Sequence, residues 1–392
     1  MSLLRSIAIA PLALVLLAGC SPSAPIAVPT TPPAISTPTP TSTPTPTAEP
    51  IVAPEPRLEL NCSDFGSDAE ISKLAGREVV AIDYAAELLR PSRGVPQDFA
   101  LRQIGGMRCA WASLSDRPHD NPAEVISISL LADANALEKW SDFATIYGIS
   151  DDRRANCVTE QEQTGHCTLD QLVGQTWITI DFQDIAKSVS ATDRGLTKAF
   201  APFFAKAETV VHEAGSAGPA WEPPTDTTML PKICAEILPG KTVTKAIHAR
   251  PAVEDYLALD GPDVGMLNTK DGALFTLNCG WFYPNSEQYS AGRFDVLPGG
   301  EWAWNESRDL PQAAGEAIAL ELVGLREGDS AYSRCATKEY CVVDVILGHN
   351  WFQLQLDKPR QGLEIDGVKA SVTSKRLAAL TELANELVVR AG

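Results

Sequence analysis

One eleven-residue pattern occurs twice in this chain. Cys167 to Trp177 reads CTLDQLVGQTW and Cys341 to Trp351 reads CVVDVILGHNW; both fit C-x-x-D-x-x-x-G-x-x-W. The flanking segments recur in the same order. Cys62 in NCSDF, Cys109 in RCAWAS and Cys157 in NCVTEQEQTGHC precede the first copy. Cys234 in KICAEIL, Cys279 in NCGWFY and Cys335 in RCATKEYC precede the second. After each Trp comes a strand-like stretch, WITIDF or WFQLQL. A helix-like one follows, DRGLTKAFAPFFAKAETVV or SKRLAALTELANELVVRA. A chain built this way folds as two sister units. The Gly-, Pro- and Thr-rich segment 213–228 has no apolar periodicity and reads as the linker. The units are then residues 58–212 and 229–392, each near the usual size of an independent core.

Both halves read as mixed α and β. AEVISISLLA and CVVDVILG are short and β-branched, as strands are. DANALEKWSDFATIYG reads as a helix capped by Asp133 and closed at Gly148. The last helix places Leu377, Leu380, Ala384, Leu387 and Val388 on one face. Strand and helix do not alternate as in a doubly wound parallel sheet. The expected class is α+β: two tandem homologous domains, each an antiparallel sheet with helices on one face, after a disordered Pro/Thr-rich stalk.

The first residues, MSLLRSIAIAPLALVLLAGC, join a cationic start to an apolar stretch too short to span a bilayer. The stretch ends in Leu17-Ala18-Gly19-Cys20, which resembles a bacterial lipobox. That resemblance implies a signal peptide over residues 1–19, removed on export, and a diacylglyceryl group on Cys20. Its two acyl chains suffice for stable anchoring. Residues 20–57 are dominated by Pro, Thr, Ser and Ala, with no aromatic side chain. Such a segment buries too little apolar surface to order itself. As polyproline II it would reach on the order of 100 Å. The expected location is the extracytoplasmic face of the cell membrane, held by lipid.

Of nine cysteines, Cys20 is claimed by lipid; eight remain, an even number in an exported chain, and suggest disulfides. The repeat favours Cys62–Cys109 and Cys234–Cys279, pinning an opening helix to the C-x-W strand. It also favours Cys157–Cys167 and Cys335–Cys341, stapling short loops. The rival reading, a metal site, has no Cys-x-x-Cys. Its nearest imidazole, His166, aligns with Tyr340. No metal and no cofactor are expected. The lipobox, the Thr/Pro stalk, the opening Cys and the C-x-W (Cys62, Cys109, Trp111; Cys234, Cys279, Trp281) together resemble small actinobacterial surface lipoproteins of unknown function. That family implies a disulfide-bonded α+β domain and no established activity. This chain departs from it in carrying two copies.

Hydrolase, zincin, P-loop and dinucleotide signatures are missing from the sequence. The five histidines, His119, His166, His212, His248 and His349, fall at non-equivalent places in the two halves, which disfavours a shared catalytic base. Asp170 and Asp344 recur within strands. They are either hydrogen-bonded structural groups or carboxylates with perturbed pKa. Duplicated Trp111/Trp281 and Trp177/Trp351 read as core packing against disulfides. Unduplicated aromatics of the second half are the candidate ligand-binding residues: Tyr283, Tyr289, Trp302 and Trp304. Trp302-Ala303-Trp304, read as a strand, puts both indoles on one face, where they either stack on a sugar or peptide or fill a core. A net charge of −18 disfavours nucleic acid and anionic polymers. The sequence thus points to a lipid-anchored binding module whose partner is an unidentified envelope ligand or protein. A wall-active hydrolase is the alternative.

Overall fold

Period-two alternation of apolar residues builds the sheets. In AEVISISLLA, Ile126, Ile128 and Leu130 turn to a core while Ser127 and Ser129 face the other way. The architecture comes from a computed structural model. It describes residues 51–82, 95–113, 123–159, 164–186, 188–190, 192–231, 233–248, 252–257, 277–283, 290–308, 317–337, 340–357 and 373–392. Cys20, His119 and Tyr289 lie outside these residues.

The first half runs α1 (Cys62–Phe65), α2 (Asp68–Ala75), β1 (Val80–Ile82), a 3₁₀ turn (Pro96–Phe99), α3 (Ala100–Gln103), β2 (Met107–Ser113) and β3 (Ala123–Ala132). It continues α4 (Ala134–Tyr147), β4 (Arg153–Thr159), β5 (Thr164–Val173), β6 (Thr176–Ala186) and α5 (Asp193–Glu213). The second half runs α6 (Cys234–Ile237), α7 (Gly240–Ala246), β7 (Glu254–Leu257), β8 (Leu277–Phe282), β9 (Ser290–Leu297), α8 (Glu301–Ser307) and β10 (Ile318–Ala319). It closes with β11 (Ser330–Thr337), β12 (Tyr340–Leu347), β13 (Asn350–Leu356) and α9 (Thr373–Ala391).

Six strands form one antiparallel sheet in the order β1-β2-β3-β6-β5-β4. Seven form the other in the order β7-β8-β9-β13-β12-β11-β10. The orders match strand for strand, with β10 added at one edge. The expected α+β class and repeated antiparallel architecture are what the structure shows. The four disulfides also pair as the repeat suggested: Cys62–Cys109, Cys157–Cys167, Cys234–Cys279 and Cys335–Cys341. The two short-range bridges join residues directly opposite on neighbouring strands, β4 to β5 and β11 to β12.

The repeated motif acquires a structural meaning here. Its Cys forms the cross-strand staple. Its Gly opens a two-residue turn, Gly174-Gln175 or Gly348-His349, between strands paired Val173↔Thr176 and Leu347↔Asn350. Gly174 and Gly348 have φ of 61° and 49°, the left-handed region that glycine enters without a Cβ penalty. The chain then returns so that the motif's Trp lies diagonal to its Asp on one face of the sheet.

Each sheet buries one face under its last long helix. Leu196, Phe200, Phe203, Phe204, Ala207 and Val211 of α5 close the first core, with Phe182 packed among the phenylalanines. Leu380, Leu383, Ala384, Leu387 and Val388 of α9 close the second. A third core lies on the opposite faces and joins the halves. Phe99, Leu131, Trp140, Phe143 and Trp177 come from the first half. Leu297, Trp302, Trp304, Ile346 and Trp351 come from the second. Residues Pro50–Gly392 accordingly form one compact unit.

The start of that unit differs from the sequence expectation, which placed residues up to 57 in the stalk. Ile51 and Ala53 pack against the third core. Arg57 pairs with Asp133 at 2.5 Å and donates to the Gly218 carbonyl at 2.8 Å. Ile51, Ala53 and Arg57 supply the partners that hold this stretch. Asp133 is the N-cap of α4 as expected, but through its backbone carbonyl, which accepts from Ala136 at 2.8 Å, and not through its side chain.

Candidate recognition face

Strand register places a transverse row of polar side chains across each sheet, on the face away from the long helix. In the first sheet the row is Arg154, Asp170, Thr179, Ser129 and Arg108, directly opposite one another on β4, β5, β6, β3 and β2. In the second it is Tyr332, Asp344, Gln353, Asp295 and Asn278 on the equivalent strands. The motif's Asp is the member common to both.

The second row is buried. Asp344 is fully covered and saturated: Arg334 Nε donates to its Oδ2 at 2.8 Å, and Trp351 Nε1 and Gln353 Nε2 donate to its Oδ1 at 2.9 Å each. The Arg334 guanidinium lies 5.3 Å from the Trp304 ring. A buried ion pair this well bonded is a structural element. What covers the row comes from the first half. Phe99 packs on Trp302 and Trp351 at 5.8 and 5.7 Å. Gln97 accepts from Asn278 at 2.7 Å, Gln103 donates to the Pro298 carbonyl at 2.6 Å, and Arg102 forms a two-bond pair with Glu306. Beneath this plug, burial and the charge of Asp98 push Asp295 up to about 6, against the pull of Arg293.

The first row is buried at Ser129 and Arg108 but more open over Arg154, Asp170 and Thr179. Asp170 and Thr179 are half-buried, and Thr179 donates to Asp170 at 2.9 Å. Burial raises the pKa of Asp170; the Thr179 bond and the charge of Arg154 oppose this, and Asp181 adds to it. Trp177 Nε1 lies toward Asp170 but makes no hydrogen bond of normal geometry. One step along the same face, Asp181 bonds His166 Nε2 at 2.6 Å and Gln183 at 2.6 Å, with Ser127 and Thr168 directly opposite it. The His166 side chain is 39% exposed and that of Asp181 22%. The band therefore offers a carboxylate, an imidazole–carboxylate pair, hydroxyls and an arginine on a stapled sheet.

Tyr283, Trp302 and Trp304 are positioned differently from the sequence expectation. Trp302 and Trp304 lie on α8, not on a strand, and each is 1% exposed. Gly299, at φ 68°, turns the chain, and the apolar third core holds the helix that follows. Trp302 Nε1 donates to Gln103 at 3.0 Å, and Trp304 packs on Tyr332 and Trp351 at 5.1 and 5.7 Å. Tyr283 is 4% exposed. None of the three presents a ring to solvent in this structure. Arg154, Thr179 and Asp181 escaped sequence reading, although the period-two polar positions of β6 were the signal that could have found Thr179 and Asp181.

His349 takes the second turn position at φ 67° and bridges two acids, Glu301 at 2.7 Å and Asp226 at 3.0 Å. Burial lowers its pKa, but the bonds and charges of Glu301 and Asp226 outweigh this and raise it. The bridge ties segment 213–228 to the second sheet, as does the Asn350 bond to the Thr228 carbonyl at 2.8 Å. Among the described residues, no three of His, Cys, Asp and Glu converge as a metal cage, and no helix is long and apolar enough to cross a membrane.

No family profile matches the sequence, and no curated protein matches it. Among solved structures, the chain is similar to the di-domain ARO/CYC BexL from the BE-7585A biosynthetic pathway. The match covers 80% of this chain and 95% of that one, at 9% identity and a TM-score of 0.17. Similarity at that level carries no argument about fold or activity.

Proposed function

We propose that the protein is a recognition module displayed on the outer side of the cell membrane, anchored through lipid on Cys20. Its binding face is the polar band around Asp170, Thr179, Asp181, His166 and Arg154. The supporting observation is the asymmetry of the two rows. The second is covered by residues of the first half, whereas Arg154, Asp170 and Thr179 of its counterpart stay half-buried on a sheet pinned by disulfides. Its mixed charges suit a polar, hydrogen-bonding ligand such as a wall fragment or peptide better than an apolar one. The stalk would carry this face away from the bilayer. Hydrogen exchange in the presence of solubilised wall fragments tests the reading. Protection within residues 164–186 is expected; protection confined to the second half, or none, contradicts it. Release of a Cys20→Ala variant from the membrane fraction tests the anchor.

One observation favours a second reading, a wall-active hydrolase. Asp170 has a raised pKa and Asp181 lies within electrostatic reach, an acid paired with a carboxylate. Loss of wall-degrading activity in both Asp170→Asn and Asp181→Asn would establish it.

A further inference from the structure

The second row contains two buried acceptors that lack donors. Asp295 on β9 and Asn278 on β8 are directly opposite each other. They are 2% and 7% exposed. Asn278 spends its Nδ2 on Gln97, and its Oδ1 has no hydrogen-bond partner. Asp295 Oδ2 lies 3.5 Å from Arg293 Nε, and its Oδ1 has no hydrogen-bond partner. Side chains directly opposite on one face have Cβ atoms about 5 Å apart, so the two side chains are immediate neighbours. Asp98, on the 3₁₀ turn that covers them, brings a second carboxylate within electrostatic reach of Asp295, and its Oδ2 also accepts from the Val95 N–H at 3.4 Å. Buried acceptors without donors are rare in folded proteins and mark an ion or ordered water.

The first half supplies an internal comparison. Where the second sheet has Asn278 and Asp295, the first has Arg108 and Ser129 at the same register. One row carries its own cation at that point. In the other, the cation is replaced by an amide and a hydroxyl by a carboxylate. Arg293, with a 39% exposed side chain, offsets this only in part. A set of two carboxylates and an amide oxygen, all hard donors, suits a hard divalent cation rather than a soft metal.

We infer that Asp295, Asn278 and Asp98 hold a calcium-class cation, which seats the Pro96–Phe99 turn of the first half on the sheet of the second. Affinity would be weak, roughly 10⁻⁴–10⁻³ M, as in other exported modules. The site is separate from the proposed recognition face, so either reading can fail alone.

The test uses the full exported chain, stripped with a chelator and dialysed. Calcium binding is measured by equilibrium dialysis and thermal unfolding, with MgCl₂ and NaCl at matched ionic strength. One bound Ca²⁺ per chain and a raised Tm are expected. Asp295→Asn should abolish binding. Asp98→Asn, on a half-exposed side chain, should weaken it about tenfold or more and serves if Asp295→Asn misfolds. Ser129→Ala, at the matching position of the first sheet, should leave binding unchanged. No calcium bound at millimolar concentration, an equal response to NaCl, or binding that survives both acid variants would overturn the inference and assign the two oxygens to water.

Discussion

Asp344 shows what the repeated Asp does in the second half. It satisfies three donors from the two neighbouring strands, and one of them is a buried guanidinium. Asp344→Ala would leave Arg334 charged and unpaired inside the protein. The expected loss is about 3–5 kcal/mol in denaturant unfolding, whereas Asp344→Ala combined with Arg334→Leu should cost clearly less. Asp295 behaves in the opposite sense. Its folded pKa, about 6, lies above the ordinary 3.8. Its contribution is therefore fully present below pH 4 and lost as pH rises through 6. Without added divalent cation, Asp295→Asn should stabilise the protein above pH 6, by at most about 3 kcal/mol, and the gain should vanish in acid. His349 also has a raised pKa, so its bridge to Glu301 and Asp226 is strongest below the ordinary histidine pKa and weakens as pH rises through the folded one. Increasing exchange of the Glu301 amide, which bonds the His349 carbonyl at 3.0 Å, would report that loosening. The Asp–Gly–Trp spacing was legible as a repeated element. Which donors meet the Asp was not, because Arg334 and Gln353 sit at strand positions that only register reveals.

The strands, the long helices and the four disulfides follow from local pattern: β-branched alternation, an amphipathic final helix, and cysteines at matching places in each half. Two elements did not. Trp302-Ala303-Trp304 has the alternation of a strand and becomes helix because the Gly299-Gly300 turn precedes it and a third apolar core surrounds it. Segment 51–57 continues a Pro-rich stalk in composition, yet it is held by Arg57 and Asp133, 76 residues apart. Long-range partners of this kind leave no local trace. The bridges differ in the loops they close. Replacing Cys157 and Cys167 by Ser should cost about 3 kcal/mol, and replacing Cys62 and Cys109 about 4, on the chain-entropy account. Both are readable as shifts in denaturant midpoint.

The two halves share a fold but bury their polar rows differently, and the third core is what makes them differ. Phe99 crosses from the first half to meet Trp302 and Trp351 of the second, closing one polar row while Arg154, Asp170 and Thr179 of its counterpart stay half-buried. Phe99→Ala should cost about 3–5 kcal/mol and expose tryptophan, seen as a red shift in fluorescence. Because the core is shared, the wild-type halves should unfold together in one calorimetric transition, and the variant should split it. That the sequence repeats was plain from the motif; that the copies interlock was not, since neither Phe99 nor the 3₁₀ turn has any mark in the pattern. The most direct test of the account is native mass spectrometry of the protein gently extracted from its own membranes, beside an Arg154→Ala/Asp170→Asn variant. The account predicts lipid on both and an additional bound mass on the wild type alone. A wild type that is bare and remains so when offered wall fragments, or a variant that retains the same mass, would contradict it.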